Sequence, residues 1–339
     1  MSNAEIRVAM VGGWGHQFVK GAFEVPETNA RLVAVAADHR DEAAKTLLEQ
    51  PWCPKEATYF DSFEKMLDET KPDLVSIGSQ PACNAPIVFA SLERDIHVIS
   101  DKPIVNNDEE LDKLKALVKT KPGVLLMTEF DMRTRVVYNA CREVVRDGLI
   151  GEPVLITAQK SYRFGESRPD YYKTREGFPG SFAFIGCHVV DLAYYVTGLK
   201  YTSVQGLQGN LAKKDYGSFE DHATAMARLE NGGTALFHVD YLRPAAAPTH
   251  GDNHIRIAGS KGVVEVRDEV CTLITQTEGP RVISDMPPGR TDTGIEIIKT
   301  VRGEGAGGLN NADSLYMAEL ILRFREAIDT GKKVALPTY

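Results

Sequence analysis

The sequence contains no long apolar segment and no excess of basic residues. Hydrophobic residues make up 43% of the 339 residues, yet no run approaches the roughly 20 residues that a membrane-spanning helix needs. The segment from Met1 to Arg7 also lacks the apolar core of a signal peptide. The formal net charge is -8, and the basic residues are scattered. We therefore expect a cytoplasmic protein that binds neither a membrane nor nucleic acid.

Cysteine is also scarce, and its spacing indicates no metal centre. The five cysteines lie far apart, and none belongs to the C-x-x-C pair of a zinc site or a redox centre. Dense clusters of histidine, cysteine and carboxylate at ligand spacing are missing as well. We expect reduced cysteines, no metal, and a globular chain whose length fits two domains better than one.

The first third of the chain alternates short β-branched runs with helical patterns, which is typical of βαβ units around a parallel sheet. Asn107 is expected to cap a helix that Pro122-Gly123 ends. We place this α/β domain at residues 1–128. Its expected strands are Ile6 to Val11, Leu32 to Ala37, Leu74 to Ile77, His97 to Ser100 and Val124 to Met127.

The pattern changes after about Glu129, where strands follow one another with turns between them. Asn231-Gly232-Gly233 and the segment Gly259 to Gly262 are hairpin signals between apolar runs, and an amphipathic helix is expected from Ser314 to Thr330. The fold class is therefore α/β plus α+β, with a large, mostly antiparallel sheet in a second domain at residues 129–339. One face of this sheet needs a cover, from helices or from another subunit.

A glycine-rich turn, Gly12-Gly13-Trp14-Gly15-His16, directly follows the first strand. Glycines here let a strand turn sharply into a helix and let backbone amides reach a pyrophosphate. Phe18 replaces the third glycine of G-x-G-x-x-G, so a plain tight turn is the alternative. Asp38 ends the second strand, where a carboxylate can bind the adenosine ribose and favour NAD, whereas His39 and Arg40 could neutralise the 2′-phosphate of NADP.

Two further segments carry candidate catalytic residues. Lys102, in Ser100-Asp101-Lys102-Pro103, follows a strand at the edge where open α/β sheets bind ligands. Burial can lower the pKa of a lysine until it exchanges protons with a substrate hydroxyl, and a surface lysine is the alternative. His188 lies on a predicted helix one turn before Asp191, which could orient it. Histidine suits proton transfer in alcohol oxidation, and a core or helix-capping histidine is the alternative.

The order of these motifs resembles the Gfo/Idh/MocA family, and the resemblance covers almost the whole chain. It implies an amino-terminal Rossmann domain, a second sheet domain used for homodimer or homotetramer contacts, and NAD or NADP between them. It also implies that Lys102 and His188 are the catalytic pair. The four motifs that carry it are Gly13-Trp14-Gly15, Asp101-Lys102-Pro103, Gly148-Leu149-Ile150-Gly151-Glu152-Pro153, and His188 with Asp191.

The function implied by the resemblance is hydride transfer between NAD(P) and a secondary hydroxyl of a sugar, polyol or related carbohydrate-like small molecule. Two alternatives stay open. Some relatives resemble NAD-dependent glycosidases, which oxidise a sugar transiently and release an aglycone. Others bind the dinucleotide and act as regulators without turnover.

Three positions depart from the family pattern. Asp101 replaces a glutamate and keeps the charge, while Asn84 replaces a histidine in the loop after the fourth strand. Phe184 replaces an aspartate four residues before His188, so a carboxylate that would hold a substrate hydroxyl is missing. The expected cofactor-binding residues are Gly12, Gly13, Trp14, Gly15, His16, Asp38, His39, Arg40, Ser79, Gln80, Asn84, Asp101 and Lys102.

A polar, aromatic segment from Arg163 to Lys173 precedes the second glycine-rich segment. Its side chains suit hydroxyl groups or a carboxylate, and an exposed loop is the alternative. The expected substrate-binding residues are Arg163, Tyr172, Phe184, Asp191 and His250.

Overall fold

The computed structural model describes residues 4–38, 43–165, 168–284, 292–305 and 308–337. These residues divide into two compact units. The first contains the described residues up to Asp131 and those from 292 to Glu319, and the second contains the remainder. Residues 292–319 therefore lie with the first unit, whereas the sequence analysis placed everything after residue 128 in the second domain.

The described residues form fifteen strands and eight α-helices, with short 3₁₀ and π turns between them. The strands are β1 (Ile6–Val11), β2 (Ala30–Ala36), β3 (Thr58–Phe60), β4 (Leu74–Ile77), β5 (His97–Ser100), β6 (Leu126–Thr128), β7 (Pro153–Tyr162), β8 (Tyr201–Gly209), β9 (His222–Leu229), β10 (Thr234–Asp240), β11 (Gly251–Gly259), β12 (Gly262–Arg267), β13 (Val270–Thr275), β14 (Arg281–Val282) and β15 (Val334–Ala335). The helices are α1 (Lys20–Phe23), α2 (Phe63–Thr70), α3 (Asn84–Glu93), α4 (Asp108–Thr120), α5 (Val136–Arg146), α6 (Cys187–Thr197), α7 (Thr293–Val301) and α8 (Asn311–Thr330).

The sheet of the first unit has six parallel strands in the order β3-β2-β1-β4-β5-β6. Because the strand order reverses between β1 and β4, the carboxyl ends of these two strands flank the crevice in which Rossmann folds bind dinucleotides. The predicted bounds of β1, β4 and β5 are confirmed to the residue. The prediction missed β3, which has only three residues and therefore shows no clear alternation.

The core of the first unit is formed by apolar side chains from the sheet and from helices on its faces. Ile297 and Ile298 of α7 and Leu309 beyond it belong to this core together with Val8 and Met10 of β1. Burial of such side chains stabilises a domain by about 1.5–3 kcal/mol each. A late segment of the chain thus completes the first unit.

Helix α4 begins where the sequence predicts. The Asn107 side chain accepts a hydrogen bond of 2.9 Å from the Glu110 amide, and three acidic residues occupy the first turn. Capping and the helix dipole both favour this arrangement. Leu111, Leu114 and Val118 bury the apolar stripe.

The second unit contains a nine-stranded sheet in the order β14-β13-β12-β11-β7-β10-β9-β8-β15. All neighbours are antiparallel except β7 and β10, which are parallel, so the predicted mostly antiparallel sheet is confirmed. Helices α5 and α6 pack on one of its faces. None of the helices in the described ranges combines the length and apolar character that crossing a bilayer requires.

Candidate active site

The glycine-rich turn lies at the carboxyl end of β1, next to the segment that follows β4. Gly12 has a φ of +79°, and a side chain there would collide with the backbone of Gly78 and Ser79. The amides of Trp14 and Gly15 donate hydrogen bonds of 3.1 and 2.7 Å to the Gly78 carbonyl. The turn is thus shaped by contacts within the protein.

The segment after the turn differs from the expected direct entry into a helix. Helix α1 starts only at Lys20 and has four residues. The His16 amide donates a hydrogen bond of 2.9 Å to Asp101 Oδ2, so it does not stand at a helix N-terminus. The amides of Trp14, Gly15 and His16 therefore all have protein acceptors, which the sequence did not reveal.

Asp38, Ser79 and Gln80 come together at the carboxyl ends of β2 and β4. The Gln80 amide donates a hydrogen bond of 3.4 Å to Asp38 Oδ2, and the Ser79 hydroxyl lies 3.5 Å from the Val11 carbonyl. Asp38 is only 5% exposed. A buried carboxylate at the end of the second strand fits the ribose hydroxyls of a dinucleotide. His39 and Arg40 lie outside the described residues.

Lys102 is buried, which excludes the surface-lysine alternative. Its side chain is 1% exposed, and Nζ lies 2.7 Å from Asp101 Oδ1 and 2.8 Å from His16 Nδ1. The His16 side chain is 40% exposed, so it connects the buried amine to solvent. A buried charge needs such a partner, and Asp101 supplies it.

Asp101 and His16 therefore hold Lys102 in a charged network. Burial by itself would raise the pKa of Asp101, but the positive charges of Lys102 and His16 outweigh it and hold that pKa well below its usual range. Asp101 thus stays ionised and compensates the lysine. Gly15 is required beside it, because a Cβ there would lie 2.7 Å from Asp101 Oδ2.

Asn84 fixes the loop that carries Lys102. It is fully buried at the start of α3, and its side-chain amide donates to the carbonyls of Asp101 (3.1 Å) and Pro103 (3.0 Å). Both amide hydrogens are thus used within the protein. Asn84 therefore holds the lysine loop in place, and its contact with the cofactor stays a prediction.

Glu129 is a site residue that sequence reasoning missed. It directly follows β6, is fully buried, and accepts a hydrogen bond of 3.3 Å from the Phe18 amide. Within the described chain its Oε2 has no hydrogen-bond partner. Burial, and then the negative charge of Asp101, raise the pKa of Glu129 well above its usual value. The sequence shows that Glu129 follows a strand, but it does not show that the side chain is buried.

Three potential ligand atoms, one each from His16, Asp101 and Glu129, lie within 4.8 Å of one another. Such a set could in principle bind a cation. Here the ammonium of Lys102, 2.7 Å from Asp101 Oδ1, already supplies the positive charge. The cluster is therefore better described as a lysine site than as a metal centre.

The second unit carries the other predicted catalytic residue. His188 lies in α6 and is 3% exposed, and Asp191, one turn later, is 1% exposed. Asp191 binds the guanidinium of Arg133 through contacts of 2.6 to 3.1 Å, so its carboxylate is engaged by a residue that the sequence analysis did not name. Asp191 thereby ties α6 to the turn that precedes α5.

The predicted substrate residues Tyr172 and Phe184 belong to one aromatic cluster. Tyr172 is buried, stacks on Phe178 at 4.3 Å between ring centroids, and meets Phe184 edge-on at 5.8 Å. Phe184 therefore extends an apolar wall where the family pattern has a carboxylate. Arg168 donates a hydrogen bond of 3.2 Å to the Tyr172 hydroxyl.

Arg163 and His250 are neighbours in the same unit. The Arg163 amide donates a hydrogen bond of 3.1 Å to the His250 carbonyl, and the Arg163 guanidinium donates to the Ala247 carbonyl. The His250 ring lies 4.9 Å from the Tyr162 ring. The loop before β11 is thus fastened to the end of β7.

Comparison with known proteins agrees with this architecture. Residues 6–130 match a family model described as an oxidoreductase family with an NAD-binding Rossmann fold. Residues 138–265 match the GFO/IDH/MocA C-terminal domain. Together the two models span most of the chain.

Individual relatives are similar over most of the sequence. A D-glucoside 3-dehydrogenase of Escherichia coli is 28% identical over 70% of this chain and 68% of its own length. A myo-inositol 2-dehydrogenase of Thermotoga maritima is 28% identical over 75% of this chain and 73% of its own. The solved structure of a provisionally named oxidoreductase from Thermotoga maritima superposes with a TM-score of 0.89 at 29% identity, covering 98% of this chain and 100% of that one.

The strand order, the buried Asp38 and the glycine-rich turn define an NAD-binding oxidoreductase domain. With both family models matched in order along the sequence, the chain belongs to the Gfo/Idh/MocA family.

Proposed function

We propose that this protein is an NAD-dependent dehydrogenase that transfers a hydride between the nicotinamide and a secondary hydroxyl of a sugar or polyol. The observation that carries the proposal is Lys102, buried between Asp101 and His16 at the carboxyl edge of the parallel sheet. A buried, paired lysine at this edge is suited to proton exchange with a substrate hydroxyl. The dehydrogenase names of the two curated relatives support the same chemistry.

NAD is the proposed cofactor because of Asp38. Its carboxylate at the end of β2 can accept hydrogen bonds from the ribose hydroxyls and would repel a 2′-phosphate. When bound, the nicotinamide supplies the acceptor or donor of the hydride. Ser79, Gln80 and the turn from Gly12 to His16 are the proposed neighbours of the cofactor.

The proton released in oxidation needs a route from the buried lysine. His16 Nδ1 lies 2.8 Å from Lys102 Nζ, and the His16 ring reaches solvent. We assign His16 the transfer of this proton between Lys102 and water. His188 is the second proposed proton-transfer residue, because the family resemblance implies it and histidine is the side chain that most often acts as a general acid or base.

We further propose a cytoplasmic homo-oligomer in which the nine-stranded sheet supplies the contact between copies. The outer face of this sheet exposes Leu207, Met226 and Leu236 on the neighbouring strands β8, β9 and β10. Contiguous apolar side chains on a sheet face indicate a partner. A second copy of the same face can cover them through a two-fold axis.

The first test is oxidation of a panel of sugars, inositols and sugar acids with NAD or NADP, followed through the absorbance of reduced nicotinamide. Lys102→Ala is expected to abolish the signal while NADH binding persists, because the lysine acts on the substrate hydroxyl. Lys65→Ala, on the exposed surface of α2, is the control. Released aglycone is measured in the same samples. Release of aglycone without net reduction of NAD would replace this proposal with the glycosidase alternative. Tight nucleotide binding without any turnover would replace it with the regulator alternative.

His16→Gln tests the proton route in the same assay. We expect at least about a tenfold loss of kcat, in line with the usual contribution of one acid-base group. Added imidazole should restore part of the rate in His16→Gln and none in Lys102→Ala. A variant with unchanged kcat and no response to imidazole would remove His16 from the mechanism.

A further inference from the structure

Lys160 is a second buried lysine, and it has no carboxylate partner among the residues that the structure describes. It lies in β7, is 2% exposed, and has as its neighbours the Met132 sulfur at 3.9 Å and the Tyr162 ring at 5.1 Å. Neither group compensates a full positive charge, so an amine in this position costs stability. Lys102, in contrast, has Asp101 beside it.

Two arginines near the end of β7 also lack carboxylate partners among the described residues. Arg168 donates to the carbonyls of Phe164 (2.6 Å) and Arg163 (3.1 Å) and to the Tyr172 hydroxyl. Arg163 donates to the Ala247 carbonyl, and its Nε is buried without a partner in the described chain. Both side chains are thus positioned by neutral groups, and no described carboxylate compensates their positive charge.

These three cations form one electropositive region. Burial, and then the positive charges of Arg168, Arg163 and Lys160, lower the pKa of His250. Within the described ranges, the charged groups that act on His250 in this way are all cationic. The region therefore favours a negative charge and disfavours a second positive one.

Aromatic rings frame the same region. The Arg168 guanidinium lies 5.1 Å from the Tyr241 ring, and the Tyr241 and Tyr162 rings are 6.3 Å apart. Tyr241 is 2% exposed, yet its hydroxyl has no hydrogen-bond partner within the described ranges. Buried hydroxyls are normally bonded, so this hydroxyl is available to donate to a group bound beside it.

The region is linked to the helix that carries His188. Met132, which touches Lys160, precedes Arg133, and Arg133 binds Asp191 of α6. Helix α6 also packs on β7. An anion bound by Lys160 would therefore lie in the same unit as His188 and close to the helix on which it stands.

We propose that Lys160, Arg163 and Arg168 bind an oxyanion carried by the substrate, with the Tyr241 hydroxyl as a further donor. The substrate would then be an anionic carbohydrate, and we propose that its anionic group is a carboxylate. This inference names the substrate class of the proposed dehydrogenase and rests on that function for its kinetic test. Charge-assisted hydrogen bonds of this kind, two of them from planar guanidinium groups, are the strong ones in proteins.

The test compares substrates that differ only in the anion. D-Glucuronate is paired with D-glucose, and D-gluconate with sorbitol, while glucose 6-phosphate tests a phosphate as the source of the oxyanion. With NAD and the full-length protein we expect kcat/KM to favour the acid in at least one pair. Lys160→Met, similar in volume and apolar, should raise KM for that acid by about 10- to 100-fold and leave the neutral partner unchanged.

Lys261→Met removes the same charge at the exposed turn between β11 and β12, at the other end of β11, and should change neither KM. Arg163→Gln repeats the test if Lys160→Met does not fold, as judged by circular dichroism. Two outcomes overturn the inference while the dehydrogenase proposal stands. One is a kcat/KM for the neutral sugars that equals or exceeds that for the acids. The other is a change of KM in Lys160→Met that is the same for the acid and its neutral partner. If kcat/KM is raised for glucose 6-phosphate and for neither acid, the carboxylate is excluded as the oxyanion of the substrate.

Calorimetric titration with D-glucuronate and D-gluconate separates this inference from the proposed function. If no sugar is oxidised but an acid binds to the wild type and not to Lys160→Met, the anion site stands and the dehydrogenase fails. If neither acid binds nor reacts, the anion site is overturned.

Discussion

Two buried carboxyl groups with opposite pKa shifts define the lysine site at the scale of single residues. The positive charges of Lys102 and His16 lower the pKa of Asp101. Burial and the negative charge of Asp101 raise the pKa of Glu129. Pairs of acids that diverge in this way are typical of functional sites. The structure thus favours the ionised form of Asp101 and shifts the pKa of Glu129 towards the protonated form.

Replacing Glu129 with glutamine should remove a pH-dependent loss of stability. Its folded-state pKa is raised above the unfolded value, so the folded state holds the additional proton. The contribution of Glu129 to the free energy of unfolding is fully present below the unfolded pKa of about 4.3. It decreases as the pH rises towards the folded-state pKa, by at most about 1.4 kcal/mol per pH unit. We expect Glu129→Gln to gain stability relative to wild type from pH 5 to pH 8 in urea unfolding.

Glu56→Gln, at an exposed position, is the control and should follow the wild-type pH dependence. Parallel curves for Glu129→Gln and wild type would contradict the raised pKa.

Lys102 could be found from sequence because its tripeptide follows a strand and resembles a family motif. Glu129 could not, because a glutamate after a strand looks the same whether it is solvated or buried. Its protonation depends on Asp101 and Phe18, which are distant in sequence. Lys160 was missed for the same reason, since its lack of a carboxylate partner is visible only after folding.

Secondary-structure elements were predicted best where burial is complete. Strands β1, β4 and β5 matched to the residue, because their apolar runs end abruptly at glycine, proline or charged residues. The helix after β1 was the main difference: α1 has four residues and is followed by Pro26. The sequence pattern also did not reveal that residues 292–301 return to the first unit, since packing between distant segments leaves no local signal.

The buried ion pair between Asp191 and Arg133 joins α6 to the turn before α5. Asp191→Asn leaves the Arg133 guanidinium buried with a neutral partner, so we expect the free energy of unfolding to fall by up to about 3–5 kcal/mol. Urea denaturation measures this loss. Asp147→Asn, at the exposed C-cap of α5, removes the same charge and should cost less than about 0.5 kcal/mol. A loss for Asp191→Asn no larger than for Asp147→Asn would show that the pair contributes little.

At the scale of the whole molecule, α5 and α6 cover one face of the nine-stranded sheet, and no described helix covers the strands β8, β9 and β10 on the other face. Strand β9 alternates buried alanines with the exposed residues Thr224, Met226 and Arg228. Because successive side chains of a strand point to opposite faces, this alternation places one face of β9 inside and the other outside. The exposed apolar side chains on the other face are the reason to expect a second copy.

Met226→Lys should weaken association between copies. A lysine at this 54% exposed position places a charge in the proposed contact, and two-fold symmetry would bring it near its own copy. We expect a lower molar mass in size-exclusion chromatography with light scattering. Val282→Lys, at an exposed apolar position on β14 near the opposite edge, is the control. An unchanged mass for Met226→Lys would exclude this face as the contact.

The return of residues 292–319 to the first unit has a consequence for the order in which the protein can be made. During synthesis, domains commonly fold as units from the amino terminus. Here Ile297, Ile298 and Leu309 complete the core around β1, so the nucleotide-binding unit is incomplete until these residues, far along the sequence, have left the ribosome. A fragment that ends near Asp131 would therefore expose part of that core to water.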